Sequence, residues 1–240
     1  MIGQLLDFIW PRRCEVCARA VDRPGRYVCS ACMMRLDFNP VAGCCRVCSR
    51  AVEDFEGDYV CGDCRRRQRS FDRMAAAAVF DHEVRSLVLS FKYKAHLWLT
   101  NDFADWLEAA ARSRFDVGSI DVIAPVPMLF KRRLLRGYNQ CDILAEHLAR
   151  RLGIRCDKKL LKRVGSPRRQ SELDAEARWE NAKGSFAIGT SRSPAGKCVL
   201  LVDDIITTSA TVDECAKTLK NAGADTVYAL ALANSVILKA

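Results

Sequence analysis

The stretch Val199–Thr211 reads VLLVDDIITTSAT. An apolar run, two adjacent carboxylates and five small residues, four of them hydroxylated, pose the choice between an ordinary turn and a ligand site. Cys198–Val202, opened by Ala195-Gly196-Lys197, predicts a buried strand of a parallel sheet. From Val212 the apolar positions are Val212, Cys215, Ala216 and Leu219, the spacing of a helix, which Asn221–Gly223 ends. A second apolar run, Val227–Ala233, completes a βαβ unit. The hydroxyl-rich turn then lies at the carboxyl end of the first strand, where open α/β sheets bind ligands. Free N–H groups at a helix start favour an anion, a phosphate best of all, and Thr207, Thr208, Ser209 and Thr211 add hydroxyls. Asp203 and Asp204 would repel a phosphate but suit neutral hydroxyls or a cation, so a sugar phosphate satisfies both halves. The plain alternative is a strand–turn–helix with Thr208 or Ser209 as N-cap.

The rest of the body repeats this alternation. Met74–Phe80 predicts a strand and His82–Tyr93 an amphipathic helix with Val84, Leu87, Val88 and Phe91 on one face. Asn101–Arg114 predicts a helix, Ile120–Pro127 a strand stopped by prolines, and Tyr138–Leu152 a helix aligning Cys141, Leu144, Ala145 and Leu148. Alternating strands and helices imply a parallel sheet covered by helices on both faces. Lys131-Arg-Arg-Leu-Leu-Arg136 and Gly137-Tyr-Asn-Gln140 follow the Pro127 strand as a basic loop near the Asp203–Thr211 turn. Phe91-Lys-Tyr-Lys94 places two lysines among aromatics, as site or surface packing. Lys162–Lys183 is polar, basic and without period, the length of a lid.

The chain has 240 residues, half of them apolar, and a net charge of +9, enough for one medium domain and a small module. Met128–Arg169 holds 13 Lys and Arg against three Asp and Glu. That block calls for an anionic partner, pyrophosphate, nucleotide or nucleic acid, or is a solvated basic face. No run is as long as a membrane span. The start, MIGQLLDFIWPRRC, lacks a basic n-region and a cleavage site, and reads as a short helix docking through Leu5, Leu6 and Ile9. His82, His96 and His147 fall in helical context and read as structural. GxxxxGK[ST] and Ser/His/Asp arrangements are absent.

Nine of the 13 cysteines lie between Cys14 and Cys64, inside an internal repeat. Cys14-Glu-Val-Cys-Ala-Arg-Ala-Val-Asp22 matches Cys45-Arg-Val-Cys-Ser-Arg-Ala-Val-Glu53, and Tyr27-Val-Cys-Ser-Ala-Cys32 matches Tyr59-Val-Cys-Gly-Asp-Cys64. Two CxxC turns complete one tetrahedral four-thiolate site. The simplest assignment is two structural zinc sites, Cys14, Cys17, Cys29, Cys32 and Cys45, Cys48, Cys61, Cys64, with Cys44 spare. A crossed pairing between repeats stays open. Metal thiolates and no export signal imply a reducing, cytoplasmic setting. Cys141, Cys156, Cys198 and Cys215 read as small core hydrophobes. Arg65-Arg-Arg-Gln-Arg69 is a basic linker or part of a metal-held platform for nucleic acid or protein. Residues 1–70 are expected to form the N-terminal helix and ribbons, and residues 71–240 the α/β domain.

VLLVDDIITTSAT resembles the phosphoribosyl pyrophosphate (PRPP) signature of type I phosphoribosyltransferases. With the cysteine repeat, the PVP strand end, the RGYNQ loop and the Arg163…Gln170…Arg178…Asn181…Phe186 stretch, nearly the whole chain resembles the ComF family. That family joins a double zinc ribbon to a phosphoribosyltransferase-like domain. The resemblance implies that Asp203 and Asp204, the catalytic candidates, hold the ribose 2′- and 3′-hydroxyls. It implies that Thr207, Thr208, Ser209, Ala210 and Thr211 hold the 5′-phosphate. Lys131, Arg132, Arg133 and Arg136 would meet the pyrophosphate, with Mg²⁺ bridging it to the ribose, and Lys162–Lys183 would be the mobile loop. Ser209 replaces the family's usual Gly, which allows φ > 0, so the serine is expected to find another backbone solution or to bind phosphate less well.

Two functions follow. One is transfer of phosphoribose from PRPP to a nitrogen nucleophile, releasing pyrophosphate. The other is a non-catalytic accessory in DNA uptake and transformation that binds single-stranded DNA, the role the ComF resemblance implies. The acceptor and the oligomeric state leave no mark in the sequence.

Overall fold

The computed structural model describes residues 12–39, 44–50, 59–165, 175–189 and 193–234. The docking helix at Leu5, Leu6 and Ile9 lies outside them, as does the middle of the proposed lid. The elements in chain order are α1 (Ser30–Met33), α2 (Gly62–Arg66), β1 (Arg73–Val79), α3 (His82–Tyr93), α4 (Thr100–Arg114), β2 (Val122–Pro125), α5 (Phe130–Arg136), α6 (Gln140–Leu152), β3 (Leu161–Arg163), α7 (Ala175–Ala182), β4 (Phe186–Ile188), β5 (Cys198–Ile206), α8 (Ala210–Asn221) and β6 (Thr226–Asn234).

Four strands form one parallel sheet in the order β1-β6-β5-β2. Alternation along each strand separates two cores. Ala75, Ala77, Ile123, Leu200, Val202, Leu230 and Leu232 face α3, α4 and α6, where Phe91, Phe103 and Leu144 are fully buried. Met74, Ala76, Val122, Ala124, Val199, Leu201 and Ala229 face α8 through Val212, Cys215, Ala216 and Leu219. The expectation of helices on both faces holds. Local signals set the helix ends: Asp81 accepts the Val84 N–H at 2.8 Å to open α3, and Asn139 opens α6 while Gly153, in the left-handed region, closes it.

The sequence missed the antiparallel pairing of β3 with β4 and α7, which lies between them in the chain. It also read 131–136 as a loop, whereas the chain forms α5 with no buried residue. Phe130, Leu134 and Leu135 are exposed, so α5 has no inward apolar stripe to betray it. His96 sits ahead of a 3₁₀ turn rather than in a helix and contacts Glu15 at 3.1 Å.

The two cysteine repeats fold alike. In each, the first cysteine's N–H bonds to a carbonyl five residues on (Cys14 to Arg19, 2.7 Å; Cys45 to Arg50, 2.8 Å), and the next residue's N–H bonds to a tyrosine carbonyl (Tyr27 and Tyr59, both 2.9 Å). In each, the residue after CxxC, Ala18 or Ser49, is left-handed (φ 59° and 54°). They dock on opposite faces of the sheet: Cys14, Cys29 and Cys32 join the α3–α4–α6 core, Cys45, Cys48 and Cys61 the α8 core.

The first ribbon is held through charge. Asp102, fully buried on α4, accepts the Tyr27 N–H at 2.8 Å and lies 3.5 Å from Arg23. Asp105 takes Arg26 through two bonds of 2.6 and 3.0 Å and also pairs with Arg151. The second is held through backbone and hydroxyl: the Met74 N–H donates to the Val47 carbonyl at 2.7 Å, and the Ser49 hydroxyl donates to the Met74 carbonyl. Between them they cover the outer edge of β1, whose Val79 N–H also bonds to the Asp37 carbonyl at 2.8 Å. The other sheet edge, β2, is covered by Arg155–Asp157. No helix of the described residues is long and apolar enough to cross a membrane.

Candidate functional site

The zinc sites come first because their geometry is closed. The thiols of Cys14, Cys17, Cys29 and Cys32, and those of Cys45, Cys48, Cys61 and Cys64, each gather within 4.8 Å of one another. Pairing within each repeat replaces the crossed alternative. Cys17 and Cys29 sulfurs lie 3.8 Å apart, Cys48 and Cys61 3.7 Å; a tetrahedron with Zn–S of about 2.3 Å needs about 3.8 Å. N–H groups spread the thiolate charge: Cys29 donates to Cys14 Sγ at 3.4 Å, and Cys61 to Cys45 Sγ at 3.3 Å. Cys44 stands outside, beside Arg114 at 2.6 Å. Four thiolates leave no open position, so both zinc sites are structural.

The second site lies at the carboxyl end of β5. The strand runs past the expected Val202 to Ile206, because Asp203, Ile205 and Ile206 stay paired with β6. The acid pair therefore projects from the strand itself, with the hydroxyl turn directly behind it. A cavity of about 330 Å³ opens there, with Asp203, Asp204 and Thr207–Thr211 on one wall. Lys92, Arg132, Arg136, Arg163 and Arg178 also line it.

The two carboxylates differ. Asp204 is buried, 2.9 Å from Lys92 Nζ, and accepts the Gln140 amide; Arg136 in turn donates to the Gln140 carbonyl oxygen. Asp203 is half-buried, and burial, then the neighbouring Asp204 charge, pushes its carboxyl up to about 7. Burial pulls the Lys92 ammonium down, but Asp204 and Asp203 outweigh it and hold it above the ordinary lysine value. Cys141 is no plain core residue: its thiol lies 3.4 Å from Asp203 and lines the cavity, and burial followed by the two carboxylates holds it protonated.

Ser209 takes φ 61°, ψ 2°. The serine adopts the left-handed conformation itself instead of finding another backbone solution. Ser209 holds the N-cap position of α8, but its hydroxyl donates to the Thr208 carbonyl at 2.6 Å and makes no side-chain cap, while the Thr208 hydroxyl accepts the Ala210 N–H at 3.5 Å.

The basic segment divides. Arg132 and Arg136 line the cavity; Lys131 is exposed, and Arg133 is exposed and 3.5 Å from Asp142. RGYNQ is an internal brace: the Tyr138 hydroxyl donates to the Phe91 carbonyl beside Lys92, Asn139 caps α6, and Gln140 grips Asp204. Lys92 and Arg163 were not placed in the site by sequence. The signal for Lys92 was its aromatic setting, Phe91-Lys-Tyr-Lys94. Burial lowers the Arg163 guanidinium, and its Nε is buried without a hydrogen-bond partner. A thiol and a carboxylate already paired with lysine make a poor Mg²⁺ cage, since Mg²⁺ prefers oxygen ligands and enters with substrate phosphates.

A double zinc ribbon followed by a parallel α/β sheet, with an acid pair and a hydroxyl turn at one strand end, defines the class. Residues 5–65 match the double zinc ribbon domain family. The chain is similar to Competence protein F of Haemophilus influenzae, 29% identical over 93% of this chain and 97% of that protein. It is similar to DNA utilization protein YhgH of Salmonella typhimurium, 28% identical over 87% and 97%. Among solved structures it is similar to a purine phosphoribosyltransferase from Pyrococcus horikoshii, 20% identical over 59% and 80%, with a TM-score of 0.38. The ribbon match and the competence and DNA-utilization relatives agree with the ComF resemblance carried by the sequence.

Proposed function

We propose that this protein binds PRPP together with Mg²⁺ in the β5 cavity and displaces pyrophosphate from C1′ by a nitrogen nucleophile. One observation carries the reading: acids and hydroxyl-rich backbone share a cavity with five basic side chains, which fits a ribose carrying phosphate at one end and pyrophosphate at the other. Asp203 and Asp204 grip the ribose hydroxyls, Thr207–Thr211 the 5′-phosphate, and Arg132, Arg136, Arg163 and Arg178 the pyrophosphate. Lys131 and Arg133 stand outside this set. As the C1′–O bond breaks, the departing pyrophosphate gains charge that these cations stabilise, while Asp203 lies beside the cationic ribose. Mg²⁺ entering with the substrate phosphates would supply further charge neutralisation.

Titration calorimetry with PRPP and Mg²⁺ tests binding, and pyrophosphate release across nitrogen nucleophiles tests transfer. Asp203→Asn should weaken PRPP binding by more than tenfold. It is preferable to Asp204→Asn, which also leaves Lys92 without its counter-charge. No heat with PRPP in the zinc-loaded parent would refute the reading.

A second reading, single-stranded DNA binding, draws on the names of the relatives and on exposed Arg65, Arg66, Lys131 and Arg133. It expects affinity that falls steeply with salt, is weakened by Arg65→Ala with Arg66→Ala, and is indifferent to Asp203→Asn. Eight thiolates serving zinc support a reducing, cytoplasmic setting, and we divide the chain into residues 1–70 and 71–240.

A further inference from the structure

The segment Arg65–Ser70 joins the last thiol of the second ribbon to the sheet. Arg67 and Arg69 both lie over the Trp179 ring, 5.2 and 4.9 Å from its centroid. Arg67 also pairs with Glu176, one turn from Trp179 on the same face of α7. The Ser70 N–H and hydroxyl bind the Asp213 carboxylate at 2.7 and 3.3 Å, in the first turn of α8, directly behind the hydroxyl turn. Arg69 reaches the Cys64 thiol and faces Asp213. Its Nε and Nη1 are buried and make no hydrogen bond, so the ring and nearby negative charge must hold it. Zn²⁺ with four thiolates is a dianion, and it sits where that counter-charge is needed. Arg178, next to Trp179, lines the cavity.

We propose that Arg67, Arg69 and Trp179 are positioning residues that clamp α7 to the second zinc ribbon, so that metal at Cys45, Cys48, Cys61 and Cys64 sets Arg178 against a diphosphate in the cavity. This rests on the anion reading of the cavity for its ligand, but not for the clamp. The first ribbon has no part in it: its polar docking contacts run to α4 and to His96 and Trp98 just ahead of it.

The test uses full-length, zinc-loaded protein, with amide hydrogen exchange over residues 175–182 as one readout and calorimetry of inorganic pyrophosphate with Mg²⁺ as the other. Trp179→Ala should speed exchange in α7 and weaken pyrophosphate binding about tenfold, the scale of a lost cation–π pair, while leaving two zinc ions bound. Trp179→Phe, which keeps a ring, should restore most of both. Cys61→Ser should reproduce both effects and add nothing to Trp179→Ala; Cys29→Ser should produce neither. If Cys61→Ser does not fold, Arg67→Ala with Arg69→Ala makes the same break with zinc in place. Unchanged exchange in Trp179→Ala, or equal effects from the two ribbon variants, overturns the clamp. If the parent ignores pyrophosphate while exchange responds as stated, the clamp stands and the diphosphate falls with the cavity reading.

Discussion

The two zinc ribbons share paired CxxC turns, knuckle hydrogen bonds and a left-handed residue after CxxC, yet they settle on opposite faces of one sheet by different chemistry. The first is anchored by two acids of α4, Asp102 buried and Asp105 half-buried, that take its Arg23 and Arg26. The second is anchored by a carbonyl, an N–H and a serine hydroxyl at β1. Metal supplies each ribbon's interior, so few outer residues are needed for its own stability. Those residues are free to diverge, as Ala18 and Ser49, the same position in the two copies, show.

Removing metal tests the shared part. Cys29→Ser and Cys61→Ser should each lower zinc content from two ions to one, with the largest stability loss of any change discussed here, about 3 kcal/mol or more. Elemental analysis and urea melts would show it; a variant retaining both ions would break the symmetry. Asp102→Ala attacks the charged anchor. It leaves the Tyr27 N–H without its acceptor and removes one of the two carboxylates that Arg23 pairs with, at a cost of about 2–3 kcal/mol, again by urea melts. Ser49→Ala makes the second ribbon resemble the first at one atom and should cost about 1 kcal/mol, whereas Ala18→Ser should cost nothing measurable.

Acid separates the anchors further. Burial pushes the Asp105 carboxyl up, but its bonds to Arg26 and Arg151 outweigh burial and hold it below the ordinary aspartate value. Its stabilisation is therefore present above the unfolded value near 3.8 and is lost as pH falls through the lower folded value. Exchange at residues 26–30 should rise in acid in the parent and lose this Asp105-dependent step in Asp105→Asn; the Met74 amide should show no such step. The smallest effect is expected at Ser209, left-handed like the two knuckles. Ser209→Gly removes strain of about 1 kcal/mol but loosens the unfolded chain by a similar amount, so the melting temperature should barely move.

The α/β body was legible because its elements carry strong periods and caps. α3 begins after Asp81 and ends at Tyr93, as read, since four apolar residues point one way and an acid caps the start. The ribbons were legible as metal sites, with pairing left open until the thiols were seen to gather within each repeat. Their placement was not legible, because one repeat pattern cannot encode two different docking surfaces. The β3–β4 pair escaped because three-residue strands hold no period, and α5 because its apolar residues face outward. In the site, the acid pair and turn stood out in one contiguous stretch. Lys92 did not, since its partner Asp204 is remote in sequence and only the fold brings them together.

The covering of β1 bears on how the chain is made. β1 pairs on its inner side with β6, which leaves the ribosome after β1 and after β5. Until then the strand waits with one flank bare, a template on which neighbouring nascent chains could stack. The ribbons precede it in synthesis and need only metal and their own thiols to take shape. Zinc supply during translation would thus bear on solubility, with each ribbon acting as a built-in escort for a strand that must wait for its mate.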